Sequence, residues 1–278
     1  MQPTRSLAIL FLSLLVVASL VSAQFTSPEI AERSRWERFL KNAKIIKDEQ
    51  PWGTREAVTE PYRLTMDNKG EIRQAIWKNA SGRIRGYLEN WRWEIAAYSL
   101  DKYLELHMIP PTVERKFKGD RGSCQLMIES KMSLMDKERQ DLKVPEDKLD
   151  TWNQAVYLHR AFDNLIANYD RHGRNFRITE DWRIILIDHS RSFGTSKKHA
   201  KKLIYDENSK EGPKLMRRLP RDFVEKLKAL NLDLVQEIVD EYLTKKEINA
   251  VLLRRDLILT WLDKHISEQG KNEVLYDR

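Results

Sequence analysis

The stretch from residue 167 to 192, ANYDRHGRNFRITEDWRIILIDHSRS, restricts the folds open to this chain more than any other. It reads as one short β-hairpin with Asp170, His172 and Asn175 on its approach and Asp188 at the end of its second apolar strand. Two carboxylates, an amide and an imidazole placed round one hairpin need a polar cleft, because an unpaired carboxylate in an apolar core is very costly. The residue types suit phosphate chemistry. A hard divalent cation such as Mg²⁺ takes oxygen ligands and keeps several waters when it travels with a nucleotide, so an Asn carbonyl and one carboxylate suffice to hold it. A second carboxylate can then orient an attacking hydroxyl. The bland alternative is a charged surface turn between two strands.

Asp170-Arg171-His172-Gly173-Arg174-Asn175 resembles the D-R-H-x-x-N catalytic loop of phosphatidylinositol 3- and 4-kinases, and Ile187-Asp188-His189-Ser190 resembles their I-D-F-G. HipA-type bacterial kinases and secretory-pathway protein kinases are similar in layout, with a looser motif. The resemblance implies a two-lobed protein-kinase-like fold of the α+β class, with a small β-rich N-lobe and a mostly helical C-lobe. It also implies roles: Asp170 as base or orienter of the acceptor hydroxyl, and Asn175 and Asp188 as metal ligands. His172 is either a contributor to catalysis or a structural loop residue. His189-Ser190 stands where those families carry Phe-Gly, a departure that leaves the metal-binding Asp in place.

Such a fold needs a lysine on an N-lobe strand and a glutamate on the helix that follows. Residues 62–66 and 73–77 read as strands joined by Asp67-Asn68-Lys69-Gly70, a favoured turn composition, and Lys78 closes the second strand. Lys78 resembles the lysine that pairs with nucleotide phosphates. A helix expected over residues 86–106 carries Glu94 among Trp91, Ala97 and Tyr98, on its apolar side, so this carboxylate needs an inward partner. Lys78 is the natural candidate. Residues 124–128 form an apolar strand leading to Glu129-Ser130, which resembles the hinge that meets adenine, and Glu129 is carried as a nucleotide-binding residue. No G-x-G-x-x-G is present, and Gly53-Thr54 is the phosphate-loop candidate.

Five regions are expected: residues 1–23 as a signal peptide, 24–45 an N-terminal helix, 46–130 the N-lobe, 131–267 the C-lobe and 268–278 a polar tail. Arg5, an apolar stretch over residues 7–21 and Val21-Ser22-Ala23 make up the signal peptide, with cleavage after Ala23 and export to a periplasmic or extracellular space. No later segment reaches the roughly 20 apolar residues that cross a bilayer. The lone Cys124 excludes an intramolecular disulfide, so stability must come from a core, which 41% apolar content can supply. Loss of Arg5 takes the formal charge from +7 to about +6. Its densest piece, Lys197-Lys198-His199-Ala200-Lys201-Lys202, follows the metal-loop candidate and suits an anionic acceptor, or else is a solvated loop. No zinc-finger spacing or RNA-binding signature favours nucleic acid.

The C-terminal half reads as helical. A helix over 145–167 delivers the chain to the catalytic loop, others follow over 220–230 and 232–243, and Thr244-Lys245-Lys246-Glu247 is a capping box opening a helix to 266. The expected function is an exported kinase-like phosphotransferase using ATP or another nucleoside triphosphate with Mg²⁺ or Mn²⁺ on a hydroxyl-bearing acceptor. The alternatives are a kinase-shaped binding protein and an AMP transferase on the same fold. The mature protein is expected to begin at Gln24 when its N-terminus is read by mass spectrometry; a chain beginning at Met1 overturns the cleavage.

Overall fold

The structure, a computed structural model, describes residues 25–50, 60–196, 200–207 and 216–278. The signal peptide, Gly53-Thr54 and Lys197-Lys198-His199 lie outside the described residues.

The first half of the chain builds an antiparallel sheet of five strands in the order β1 (Lys44–Glu49), β2 (Tyr62–Asn68), β3 (Glu71–Lys78), β7 (Asp120–Leu126), β6 (Thr112–Phe117). The β2–β3 hairpin turns at Lys69 (φ 55°) and Gly70 (φ 90°), two successive left-handed residues whose twist matches the flanking strands. With a period of two, Leu64, Met66, Ala75, Trp77 and Cys124 fall on one face, where they pack with Phe39 and Leu40. Burial pushes the Cys124 thiol up to about 12, which makes it an inert core residue. Phe39 and Leu40 belong to α2 (Arg33–Asn42), which follows the short α1 (Ser27–Ala31). One N-terminal helix to residue 45 was expected; instead the helix breaks at Glu32, and Ile45 already lies in β1, paired with Met66. Arg115 on β6 closes the end of α2 by donating to Leu40 O and Ala43 O, each at 2.7 Å, and so satisfies carbonyls a helix end leaves open.

A second correction concerns residues 81–90. The expected helix over 86–106 starts later, at Trp91, and runs to Leu104 as α3. Before it stands a hairpin, β4 (Ser81–Ile84) and β5 (Tyr87–Asn90), turning at Arg85 (φ 50°) and Gly86 (φ 90°). Two left-handed residues cannot sit in a helix interior, and Asn90 caps α3 by accepting from Arg92 N–H at 3.0 Å.

The second half is helical around α5 (Leu149–Ile166) and α8 (Lys245–Gln269), with α6 (Arg221–Ala229) and α7 (Leu232–Val239) between them. A short α4 (Leu134–Arg139) occupies a stretch that reads as polar linker. The Thr244–Glu247 capping box is formed. A small sheet in the order β10 (Ile184–Leu186), β9 (Phe176–Ile178), β8 (Met132–Ser133) carries the 167–192 hairpin. Residues 268–278 are no free tail: α9 (Lys271–Val274) leads into β12 (Leu275–Tyr276), which pairs in parallel with β11 (Leu219–Pro220), and Val274 and Leu275 are buried in the C-lobe core. α3 shares that core as well. Its Trp93, Ala96, Leu100 and Leu104 pack in one cluster with Leu158, Phe162 and Ile166 of α5.

Gly122 ties sheet packing to Lys78, because a Cβ there would meet Lys78 O at 2.5 Å and the Trp77 ring at 2.6 Å. Gly122→Ala is therefore expected to cost about 1–3 kcal/mol in urea unfolding, the usual penalty for overpacking.

Candidate active site

The 167–192 segment is shaped by an arginine. α5 ends in the left-handed Ala167 (φ 53°), and the chain then turns back on itself. Arg171, side chain 1% exposed, meets Asp163 with Nε at 2.9 Å and Nη2 at 3.0 Å, while its Nη1 donates to Asn175 O and Ile187 O at 3.1 and 2.7 Å. One buried guanidinium thus joins α5, the catalytic-loop candidate and the strand leading to Asp188; the fork geometry of this pair is unavailable to Lys. Asn175 is buried and donates its amide to Asp170 O at 3.0 Å, which leaves its Oδ1 as an acceptor. His172 is exposed, on the solvent side of the same turn.

Asp188 has φ 62°, a left-handed conformation that costs on the order of 1–3 kcal/mol and persists only where neighbours enforce it. The neighbours here are Lys78 and Ser190. Lys78 Nζ donates to Asp188 Oδ1 at 2.8 Å and to Glu94 Oε1 at 2.7 Å, and Ser190 Oγ lies 3.1 Å from Asp188 Oδ1. The other Glu94 oxygen accepts the His189 backbone N–H at 2.9 Å. A strand, a helix and the metal-loop candidate therefore converge on one ammonium. Burial acts against the Lys78 charge, but Asp188 and Glu94 outweigh it and hold its pKa above the ordinary value. Burial would raise Glu94, yet the Lys78 ammonium and the His189 side chain hold it well below the usual carboxylate range. The same competition, burial against Lys78, leaves Asp188 below its ordinary value.

A further acid and base, missed in the sequence, complete the cluster. Glu89 on β5 is 1% exposed; it accepts from Ser190 Oγ at 2.7 Å and from Arg191 Nε, and Arg191 Nη1 reaches Asp170 Oδ1 at 3.1 Å. A charged residue beside the Asn90 helix cap was the available signal. Four carboxylates, Glu89, Glu94, Asp170 and Asp188, then share two cations, Lys78 and Arg191. The surplus of negative charge and the open Asn175 Oδ1 are what a divalent cation requires. Among the described residues no group of three or more His, Cys, Asp or Glu is arranged as a metal cage, and an ion carried in with phosphates needs none.

Glu129 stands apart. It is exposed after β7 and lines a cavity of about 1070 Å³ that also takes in Glu29, Arg33, Gln74 and Arg183. Of the basic segment, Lys201 and Lys202 are described and exposed. Among the described residues no helix is long and apolar enough to cross a membrane.

No family model and no curated protein sequence matches the chain significantly. Solved structures do. A hydra Fam20 with sugar aligns over 89% of this chain and 93% of its own, at a TM-score of 0.63 and 17% identity. This chain has a protein-kinase-like fold. The Golgi casein kinase follows at 0.59 and 15% identity, covering 92% of this chain and 82% of its own, and has also been solved with Mn and ADP bound. The Helicobacter pylori proinflammatory kinase CtkA reaches 0.50 at 11% identity, over 84% of this chain and 99% of its own. Within this fold, Lys78 ends β3 of the five-stranded sheet, α3 with Glu94 packs into the core shared with the C-terminal helices, and Asp170, Asn175 and Asp188 follow α5 in the chain.

Two buried imidazoles make stability pH-dependent. Burial depresses His159, beside Phe176, to about 3, and lowers His189 as well. Both are neutral in the fold, so their contribution is full above the unfolded value of about 6.5 and is lost as pH falls below it. Stability from urea unfolding is expected to drop below about pH 6.5 by up to roughly 1.4 kcal/mol per pH unit for each imidazole. His159→Phe should make the fall shallower; an unchanged slope would remove His159 as a cause.

Proposed function

We propose that the protein is a phosphotransferase of the atypical kinase type that moves the γ-phosphoryl group of ATP, or another nucleoside triphosphate, to a hydroxyl acceptor with Mg²⁺ or Mn²⁺. The observation that carries this reading is the convergence of Glu94 and Asp188 on the Lys78 ammonium, at 2.7 and 2.8 Å. The Golgi casein kinase structure with Mn and ADP supports it by analogy of fold. In this reading Asn175 and Asp188 would hold the metal, which would supply positive charge against the phosphates. Lys78 binds phosphate oxygens, and Glu94 keeps that ammonium in place and charged. Asp170 accepts the acceptor's proton. The hydroxyl oxygen forms its bond to the γ-phosphorus, the bond to the β–γ bridging oxygen breaks, and that electron pair leaves with the nucleoside diphosphate.

Positioning and electrostatics supply the rate enhancement in such a transfer, so the site needs no covalent intermediate. The hydroxyl-bearing acceptor is anionic if the stretch around Lys201 and Lys202 contacts it. Export through the secretory route, with the leader removed after Ala23, belongs to the same proposal. Purified protein with ATP and Mn²⁺ is expected to melt several degrees higher than without. Asp188→Ala should abolish that rise, whereas Asp170→Ala should keep it and lose turnover by about 100-fold or more. No rise with any nucleotide and metal would sink the nucleotide site, and turnover surviving in Asp170→Ala would remove Asp170 from its role.

A further inference from the structure

The Glu89–Arg191 contact reaches Asp170, and nothing in the phosphotransfer reading so far uses it. Asp170's main chain is fixed: its N–H donates to Asn168 Oδ1 at 3.2 Å, and its carbonyl accepts from Asn175 Nδ2 and His172 N–H at 3.0 and 2.9 Å. Its side chain, 32% exposed, is held differently, by Arg191 Nη1 on Oδ1. Arg191 is itself fixed on two further sides. Its Nε donates to Glu89, and its guanidinium lies 4.3 Å from the centre of the Tyr87 ring. Both partners belong to β5, and the hairpin is clamped to the metal loop by Asn90 N–H donating to Ser190 O at 2.9 Å.

We propose that Arg191, anchored by Glu89 and Tyr87 of the β4–β5 hairpin, is the positioning residue that aims the Asp170 carboxylate at the acceptor hydroxyl. The inference rests on the phosphotransfer reading and deepens it. Asp170 shares its cleft with three other carboxylates, and like charges would drive its side chain out toward solvent. A guanidinium is planar, permanently charged and able to bind two carboxylates at once, so it can hold Asp170 by one oxygen and leave Oδ2 for the hydroxyl. Glu89 gives that guanidinium a buried anchor. Through Ser190 Oγ the same carboxylate also steadies the loop bearing Asp188, so one hairpin sets the acceptor side and the metal side together. A displaced carboxylate costs rate without costing nucleotide affinity, because misplacement by about 1 Å is worth roughly 100-fold in an oriented reaction.

The test uses the whole purified protein, ATP with Mn²⁺, and water as acceptor, read as release of ADP and inorganic phosphate. Arg191→Ala is expected to lower kcat by about 10- to 100-fold, with KM for ATP and the ATP-induced rise in melting temperature changed less than about threefold. Millimolar guanidinium should restore part of the lost kcat, and Arg191→Lys should fall between wild type and Ala. An unchanged kcat in Arg191→Ala overturns the inference. A loss shared by KM and the melting rise, and not restored by guanidinium or Lys, overturns it too, since the contact is then a structural strut. Wild-type protein with neither a nucleotide-dependent melting rise nor turnover removes the phosphotransfer reading and this inference with it; a wild-type rise and turnover beside a normal Arg191→Ala removes the inference alone.

Discussion

The cleft depends on the ammonium of Lys78. It lies between two carboxylates brought from distant parts of the chain, Glu94 and Asp188, at 2.7 and 2.8 Å. The two contacts are unequal. Glu94 is 3% exposed and Lys78 13%, so theirs is a buried pair, and breaking such a pair leaves an uncompensated charge at about 3–5 kcal/mol. Asp188 is 37% exposed, and water screens its share. The Lys78–Glu94 pair therefore anchors the lysine, and Asp188 is its weaker partner.

Glu94 can serve as that anchor because its helix is fixed from the far side. α3 contributes Trp93, Ala96, Leu100 and Leu104 to the same core as α5, and Trp93 Nε1 donates to Glu247 Oε1, in the capping box of α8, at 2.8 Å. A helix buried in the core of the helical lobe cannot swing away without exposing that apolar surface, at a cost of about 25 cal/mol for each Å². The lysine–glutamate pair is therefore held assembled by packing. Here the two-lobe description stops at the sheet: α3 precedes β6 and β7 in sequence, yet its core is shared with the C-terminal helices.

Much of this was legible in the chain because the signals are local. The Lys69-Gly70 turn, the Thr244 capping box and the apolar stripe of α5 each act within a few residues, and each forms as its residue types dictate. Glu94 was legible as inward-facing from Trp91, Ala97 and Tyr98 at helical spacing. The β4–β5 hairpin was misread as helix because Arg85-Gly86 is a weaker turn signal than Asn-Gly, and because Leu88 continues an apolar pattern into α3. Residues 268–278 looked polar because their buried members, Val274 and Leu275, are few. Their partners lie far back in the chain at β11.

The sequence by itself determined the chemistry available: a lysine closing a strand, a glutamate on the wrong side of a helix for solvent, and an aspartate, an asparagine and a second aspartate round one hairpin. Only the tertiary structure decided which of these meet. Lys78 and Asp188 are 110 positions apart, and Glu89 and Arg191 102, and no periodicity or turn preference acts over such separations. Those contacts exist because α3 and the C-terminal helices share one apolar core, and burial is nondirectional: the charges pair where the packed backbone leaves them.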